Sequence, residues 1–199
     1  MSVKDFVQQR RDALIAMRRD FHMYPEPAWL EYRSAAKVAD RLISLGYDVA
    51  LGADVLDLDS RMGLPSDEVM KAAMDRAIKE GANPELVEKM GYGKTAIVAT
   101  MKFGGEGPVV AFRVDMDSND VIEAKEDNHV PAKGGFRSCH DKAMHACGHD
   151  AHMTMGLGLA EYLATHKDEF KGTIKLIFQP AERSEERRVG KECTLACIC

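Results

Sequence analysis

This sequence has no long apolar run, no internal repeat and no low-complexity linker. Nothing in it approaches the ~18 consecutive apolar residues of a membrane-spanning helix, so no membrane partner is expected. The start, Met1-Ser2-Val3-Lys4-Asp5, lacks the apolar core of a signal peptide. Positive charge is not in excess either. A formal net charge of −5 and a pI near 5.8 argue against nucleic acid as a partner. Cysteine is scarce and odd in number, five in all, which excludes a simple disulfide framework and fits a reducing, cytoplasmic setting. No histidine follows His166. What is present is 199 residues with 45% apolar content, enough for one domain with a sizeable core.

The most informative stretch runs from Met144 to Met153, Met-His-Ala-Cys-Gly-His-Asp-Ala-His-Met. Cys147 and His149 sit two apart, so an extended segment would turn both toward one metal ion, and a thiolate with an imidazole suits zinc or a similar cation. Asp150 is expected to cap a helix over Ala151–Thr165. A catalytic site needs at least one more protein ligand and an open position for water. Gln179-Pro180-Ala181-Glu182 is the expected source, because it follows the β-branched run Gly172–Phe178, which reads as a buried strand. Pro108–Asp115 reads as a second buried strand ending in an acid. Asp115 is expected to orient a metal-binding histidine. Open α/β sheets carry their chemistry at such strand ends.

The remaining pattern alternates helices with strands. Val3–His22 carries Phe6, Leu14, Met17 and Phe21 on one helical face, and Ser34–Leu45 forms a second helix stopped by Gly46. Strands are expected at Tyr47–Leu51, Thr95–Lys102, Val109–Asp115 and Thr173–Phe178, with an antiparallel hairpin around Gly104-Gly105. Between Gly52 and Tyr92 lies a helical insert: one helix over Pro65–Glu80, with Ser66 as N-cap and Gly81 as stop, and a shorter one over Pro84–Met90. This order predicts an α/β fold, a three-layer α/β/α sandwich with a mostly parallel sheet, truncated so that an apolar edge stays open.

Four segments together resemble the metal-dependent amidohydrolases related to aminoacylase and carboxypeptidase. That family includes hydrolases of hippurate, indole-acetyl amino acids and aminobenzoyl-glutamate. Arg18–Pro27 is similar to its "R-R-x-x-H-x-x-P-E" opening, Phe112–Asp117 to "R-x-D-M-D", Met144–Met153 to "M-H-A-C-G-H-D-x-H-M", and Phe178–Glu182 to "F-Q-P-A-E". The likeness spans roughly residues 5 to 182 in the family's order, and the insert with Gly134–Cys139 resembles the subgroup formed by the A subunits of aminobenzoyl-glutamate hydrolases. The resemblance implies cleavage of an N-acyl or N-aroyl amino acid amide by metal-activated water. It implies Cys147 and His149 as metal ligands, Glu182 as general base and Asp115 as the orienting acid, with two divalent ions, zinc or manganese. It also implies a homo- or heterodimer, and a chain roughly twice this length whose later part supplies two more histidine ligands.

Where the family continues with a second Glu, this chain has Arg183, a side chain with donors and no lone pair to coordinate a cation. Residues 183–199 carry no apolar period, and we take them as foreign or out-of-frame sequence outside a catalytic-domain segment of residues 1–182. The rival is a divergent tail binding metal through Cys193, Cys197 and Cys199. A catalytically dead domain that binds metal weakly or pairs with a second polypeptide is the alternative to an active hydrolase. Other residues stay open at this stage: His22 can touch substrate or merely end its helix, and His152 can orient a ligand or sit exposed. His145, Cys139 and His140 can join Cys147 in a structural zinc knot. Asp117 and Asp120 read as solvated loop acids, and the twelve methionines as core filler.

Overall fold

The computed structural model describes residues 1–183; the expectations for residues 184–199 lie outside them. Helix α1 spans Val3–Met23, its first turn held by the Ser2 hydroxyl accepting from the Asp5 N–H at 3.2 Å. Helix α2, Tyr32–Ser44, buries Ala35, Ala36, Val38, Ala39 and Leu42. Its first-turn donors are satisfied from a distance: the two oxygens of the fully buried Glu26 accept the N–H groups of Arg33 (2.9 Å) and Ser34 (2.8 Å). The Pro-Glu pair of the opening motif therefore serves to start α2. The insert folds as expected, into α3 (Asp67–Lys79, capped by Ser66) and α4 (Pro84–Met90), both packed on α2. A short α5, Val130–Lys133, and α6, His149–Thr165, follow. Among the described residues, no helix is long and apolar enough to cross a membrane.

Strands β1 (Asp48–Leu51), β2 (Ile97–Lys102), β3 (Val109–Asp115) and β4 (Thr173–Gln179) form one sheet in the order β1-β2-β4-β3. The α/β class is as expected, but the sheet is mixed. Only β3 with β4 is parallel, and β1–β2 and β2–β4 are antiparallel. The hairpin expected around Gly104-Gly105 does not form, because β4 inserts between β2 and β3.

Period-two alternation gives the sheet one apolar face: Ile97, Ala99 and Met101 of β2 lie beside Ile174, Leu176 and Phe178 of β4, all buried. Helix α6 reaches this face at Gly156, where a β-carbon would stand 2.8 Å from Val114 Cγ2 and 3.1 Å from the Phe178 ring. On the opposite face Val98, Thr100, Lys175 and Ile177 are half-buried, so the third layer of the expected sandwich is not supplied by the described residues. Strand β3 is an edge, and its Val109, Val110 and Phe112 are exposed. Val110 and Phe112 line an apolar cavity of ≈ 920 Å³ together with Phe6 and Leu14 of α1 and Leu159 of α6.

Candidate metal centre

The chemistry-bearing side chains meet at the ends of β3 and β4 and the start of α6. His149 opens α6 because Gly148 takes φ +109°, a left-handed turn that swings the chain into the helix. The Cys147–His149 pair is thus presented by a bend and a helix start, not by an extended segment. Asp150 is not the cap; it lies in the first turn, where its Oδ1 accepts the Ala151 N–H at 2.8 Å.

The residue that orients His149 is Asp117. His149 Nδ1 donates to the Asp117 carbonyl oxygen at 2.7 Å, with Asp117 Oδ1 3.2 Å from the same nitrogen. Burial disfavours the charged ring, but hydrogen bonding to Asp117 outweighs it and raises the His149 pKa. Far from a solvated loop acid, Asp117 is fully buried. Asp115, expected in that orienting role, lies two residues upstream; its carboxylate pairs with Arg113 at 2.8 Å and stands 3.6 Å from His152 Nδ1. The His152 ring stacks on that of His149 at 5.1 Å and is 44% exposed, while Asp120 is exposed as expected.

With Nδ1 engaged, the lone pair of His149 Nε2 is left facing Glu182, 3.8 Å away. Asp117, His149 and Glu182 bring one donor atom each within 4.8 Å of one another, as do Asp115, His149 and His152. Cys147 is exposed and falls in neither group. It reaches the Arg183 guanidinium, which hydrogen-bonds its sulfur and places Nη2 3.5 Å from His149 Nε2. Cys139 and His140 cluster with Glu80 instead of joining Cys147. The donors suit a divalent cation: imidazole and carboxylates converge, and Asp117 Oδ1 is buried with no hydrogen-bond partner among the described residues. Arg183 does not suit one, for its positive charge stands among those donors.

Glu182 follows an unusual residue. Ala181 takes φ +53°, a left-handed conformation that costs a residue with a β-carbon about 1–2 kcal/mol. Its N–H donates to Glu31 Oε1 at 2.8 Å, and the Thr95 hydroxyl donates to Glu31 Oε2 at 2.7 Å. Burial, and then the charge of Asp117, push the Glu31 carboxyl up to about 8. Behind the site, His22 is buried between Asp150 Oδ2 (2.8 Å) and Glu123 Oε1 (2.9 Å), and Arg18 pairs with Asp150 at 2.9 Å. His22 loses some charge stability to burial but gains more from these two acids, so its pKa rises. It ends α1 against this network. His145 is also buried, with neither ring nitrogen hydrogen-bonded among the described residues, and burial lowers its pKa to about 4. Sequence patterns offered no signal for Glu31, Glu123 or Thr95, since each acts on residues far along the chain.

The raised Glu31 value predicts a pH dependence of stability. Between pH ~4.5 and ~8 the unfolded chain releases this proton while the folded chain retains it. Stability should therefore fall as pH rises through that window and level off above it. Thermal melts from pH 5 to 8 should drop more steeply for the parent than for Glu31→Gln; parallel curves would refute the assignment.

Residues 111–191 match the model of peptidase family M20/M25/M40. Over these residues the chain belongs to the M20 peptidase family. Relatives extend the likeness across nearly the whole sequence. The indole-3-acetyl-aspartic acid hydrolase of Enterobacter agglomerans is 46% identical over 90% of this chain and 41% of its own length. The A subunit of the p-aminobenzoyl-glutamate hydrolase of Escherichia coli K12 is 46% identical over 91% of this chain and 42% of its own. An aminobenzoyl-glutamate utilization protein from Klebsiella pneumoniae superposes with a TM-score of 0.74 at 40% identity, covering 91% of this chain and 39% of that one. A dinuclear metal-binding M20 peptidase of Bacillus subtilis gives a TM-score of 0.57 at 27% identity, over 92% of this chain and 39% of its own. This M20 chain thus spans about two-fifths of the length of the relatives it matches.

Proposed function

We propose that residues 1–182 are the N-terminal part of the catalytic domain of a metal-dependent amidohydrolase, with residues 183–199 outside it although the family match runs on to residue 191. The proposed substrate is an N-acyl or N-aroyl amino acid, with aminobenzoyl-glutamate first among them. The observation that carries this reading is the meeting of Asp117, His149 and Glu182 at strand and helix ends that lie far apart in sequence. Relatives named as hydrolases of amino acid conjugates support the substrate class.

Cys147 and His149 are the proposed ligands of a divalent cation, zinc or manganese, one of a pair in the complete enzyme. Such an ion polarises the amide carbonyl and acidifies water. Glu182 is the proposed general base: it takes a proton from the attacking water and passes it to the leaving amine. Asp117 holds the His149 ring by accepting its Nδ1–H, and Asp115 stands by His152 on the same side. The E. coli relative is named as one subunit of its enzyme, which supports pairing with a second polypeptide, alike or different. The proposed setting is cytoplasmic, which the scarce and odd-numbered cysteines support.

A second reading has its own observation. The inward Arg183 guanidinium favours a catalytically dead domain that binds metal weakly or serves a partner. Metal content after dialysis separates the two: two tightly held ions per chain support the first, and one weak ion or none supports the second. In a complete protein carrying residues 1–182, Glu182→Gln should lower kcat by about 10²–10⁴-fold. Unchanged turnover would refute the base assignment, and faster hydrolysis of hippurate than of aminobenzoyl-glutamate would refute the substrate.

A further inference from the structure

Glu182 is flanked on both sides by backbone N–H groups that donate to buried carboxyls. The Ala181 N–H goes to Glu31 at 2.8 Å, and the Arg183 N–H goes to Asp117 Oδ2 at 3.0 Å. Both acids are fully buried, and they come from different elements, the start of α2 and the loop after β3. Asp117 already has a role in holding His149. Glu31 has none in the reaction as described. Its carboxyl is itself aimed by Thr95, a buried side chain just ahead of β2.

A left-handed Ala181 needs something to hold it, because a residue with a β-carbon left to itself reverts to extended or right-handed backbone. Such a reversal between Pro180 and Glu182 would re-aim the Glu182 side chain away from His149. We infer that Glu31 is a positioning residue for Glu182: oriented by Thr95, it holds Ala181 in its left-handed turn and thereby sets the reach of the Glu182 carboxylate toward His149. The inference rests on the reading of Glu182 as the base, but the hold itself can be measured without any turnover.

Two readouts on the full 199-residue chain test it. Hydrogen exchange at the Ala181 amide should be protected in the parent and in Glu31→Gln, which keeps an acceptor oxygen. Glu31→Leu should exchange there about tenfold faster or more, as expected for the loss of one buried hydrogen bond. The second readout is the ¹⁵N resonance of His149 Nε2. Glu182→Gln should shift it in the parent and in the Glu31→Gln background, and leave it unmoved in the Glu31→Leu background, where Glu182 no longer sits beside the ring. Equal Ala181 protection in Glu31→Leu, or a full Glu182→Gln shift in that background, would overturn the inference. Should Glu31→Leu not fold, Thr95→Val carries the test: faster Ala181 exchange supports the hold and unchanged exchange overturns it. Failure of the base assignment would show separately, as unchanged turnover of Glu182→Gln in the complete protein.

Discussion

Replacing Arg183 with glutamate is expected to raise the affinity of this chain for Zn²⁺ by about 1,000-fold or more. Arg183 Nη2 lies 3.5 Å from His149 Nε2, the lone pair that would meet the ion, and the same guanidinium hydrogen-bonds Cys147. At about 4 Å and an effective dielectric of 20, each pair of unit charges is worth about 4 kcal/mol, roughly a factor of 10³ in binding. The substitution removes repulsion against a dication and adds an attractive oxygen ligand, so the figure is a lower bound after screening. Calorimetric titration with Zn²⁺, parent against variant, reads it directly. A gain below tenfold would show that Arg183 swings aside without cost, and the dead-domain reading would lose its support.

Truncating Phe178 to alanine is expected to destabilise the fold by about 3–5 kcal/mol. The ring is fully buried, sits between Ile97 of β2 and Val114 of β3 in the sheet register, and lies under α6 at Gly156. Helix α6 cannot drop into the space, because the close approach at Gly156 already fixes its height over the sheet. A domain of this size has about 5–15 kcal/mol to lose, and here one sheet face and the β3 edge are left open. A urea midpoint that moves by less than about 1 kcal/mol equivalent would show that the core collapses around the gap.

Local signals were strong wherever one short segment decides its own conformation. Val109–Asp115 and Pro84–Met90 form a strand and a helix with the expected ends, and Ser66 caps α3 as its hydroxyl and position suggested. Strand neighbours were a different matter. Nothing in β2 or β3 tells that a segment some sixty residues later will separate them, since the apolar alternation satisfies any partner of matching face. Which acid meets which histidine was not legible for a related reason. Asp115 ends β3 and Asp117 follows two residues later in the loop, and only the position of α6 decides that the second meets His149 while the first meets His152. Glu31 was illegible altogether, because its partner Ala181 is 150 residues away.

The central place of β4 has a kinetic consequence. In vectorial synthesis β1, β2 and β3 emerge first, and β2 and β3 then wait with a strand-wide gap between them. At about 5–20 residues per second, the stretch from Asp115 to Gln179 takes roughly 3–13 s to follow. For that interval the nascent chain exposes two unpaired apolar edges and cannot close its sheet from local contacts. The candidate centre, whose residue Glu182 lies just past β4, therefore assembles only once this strand has paired, and until then the growing chain offers the strand edges that a chaperone at the ribosome exit can shield.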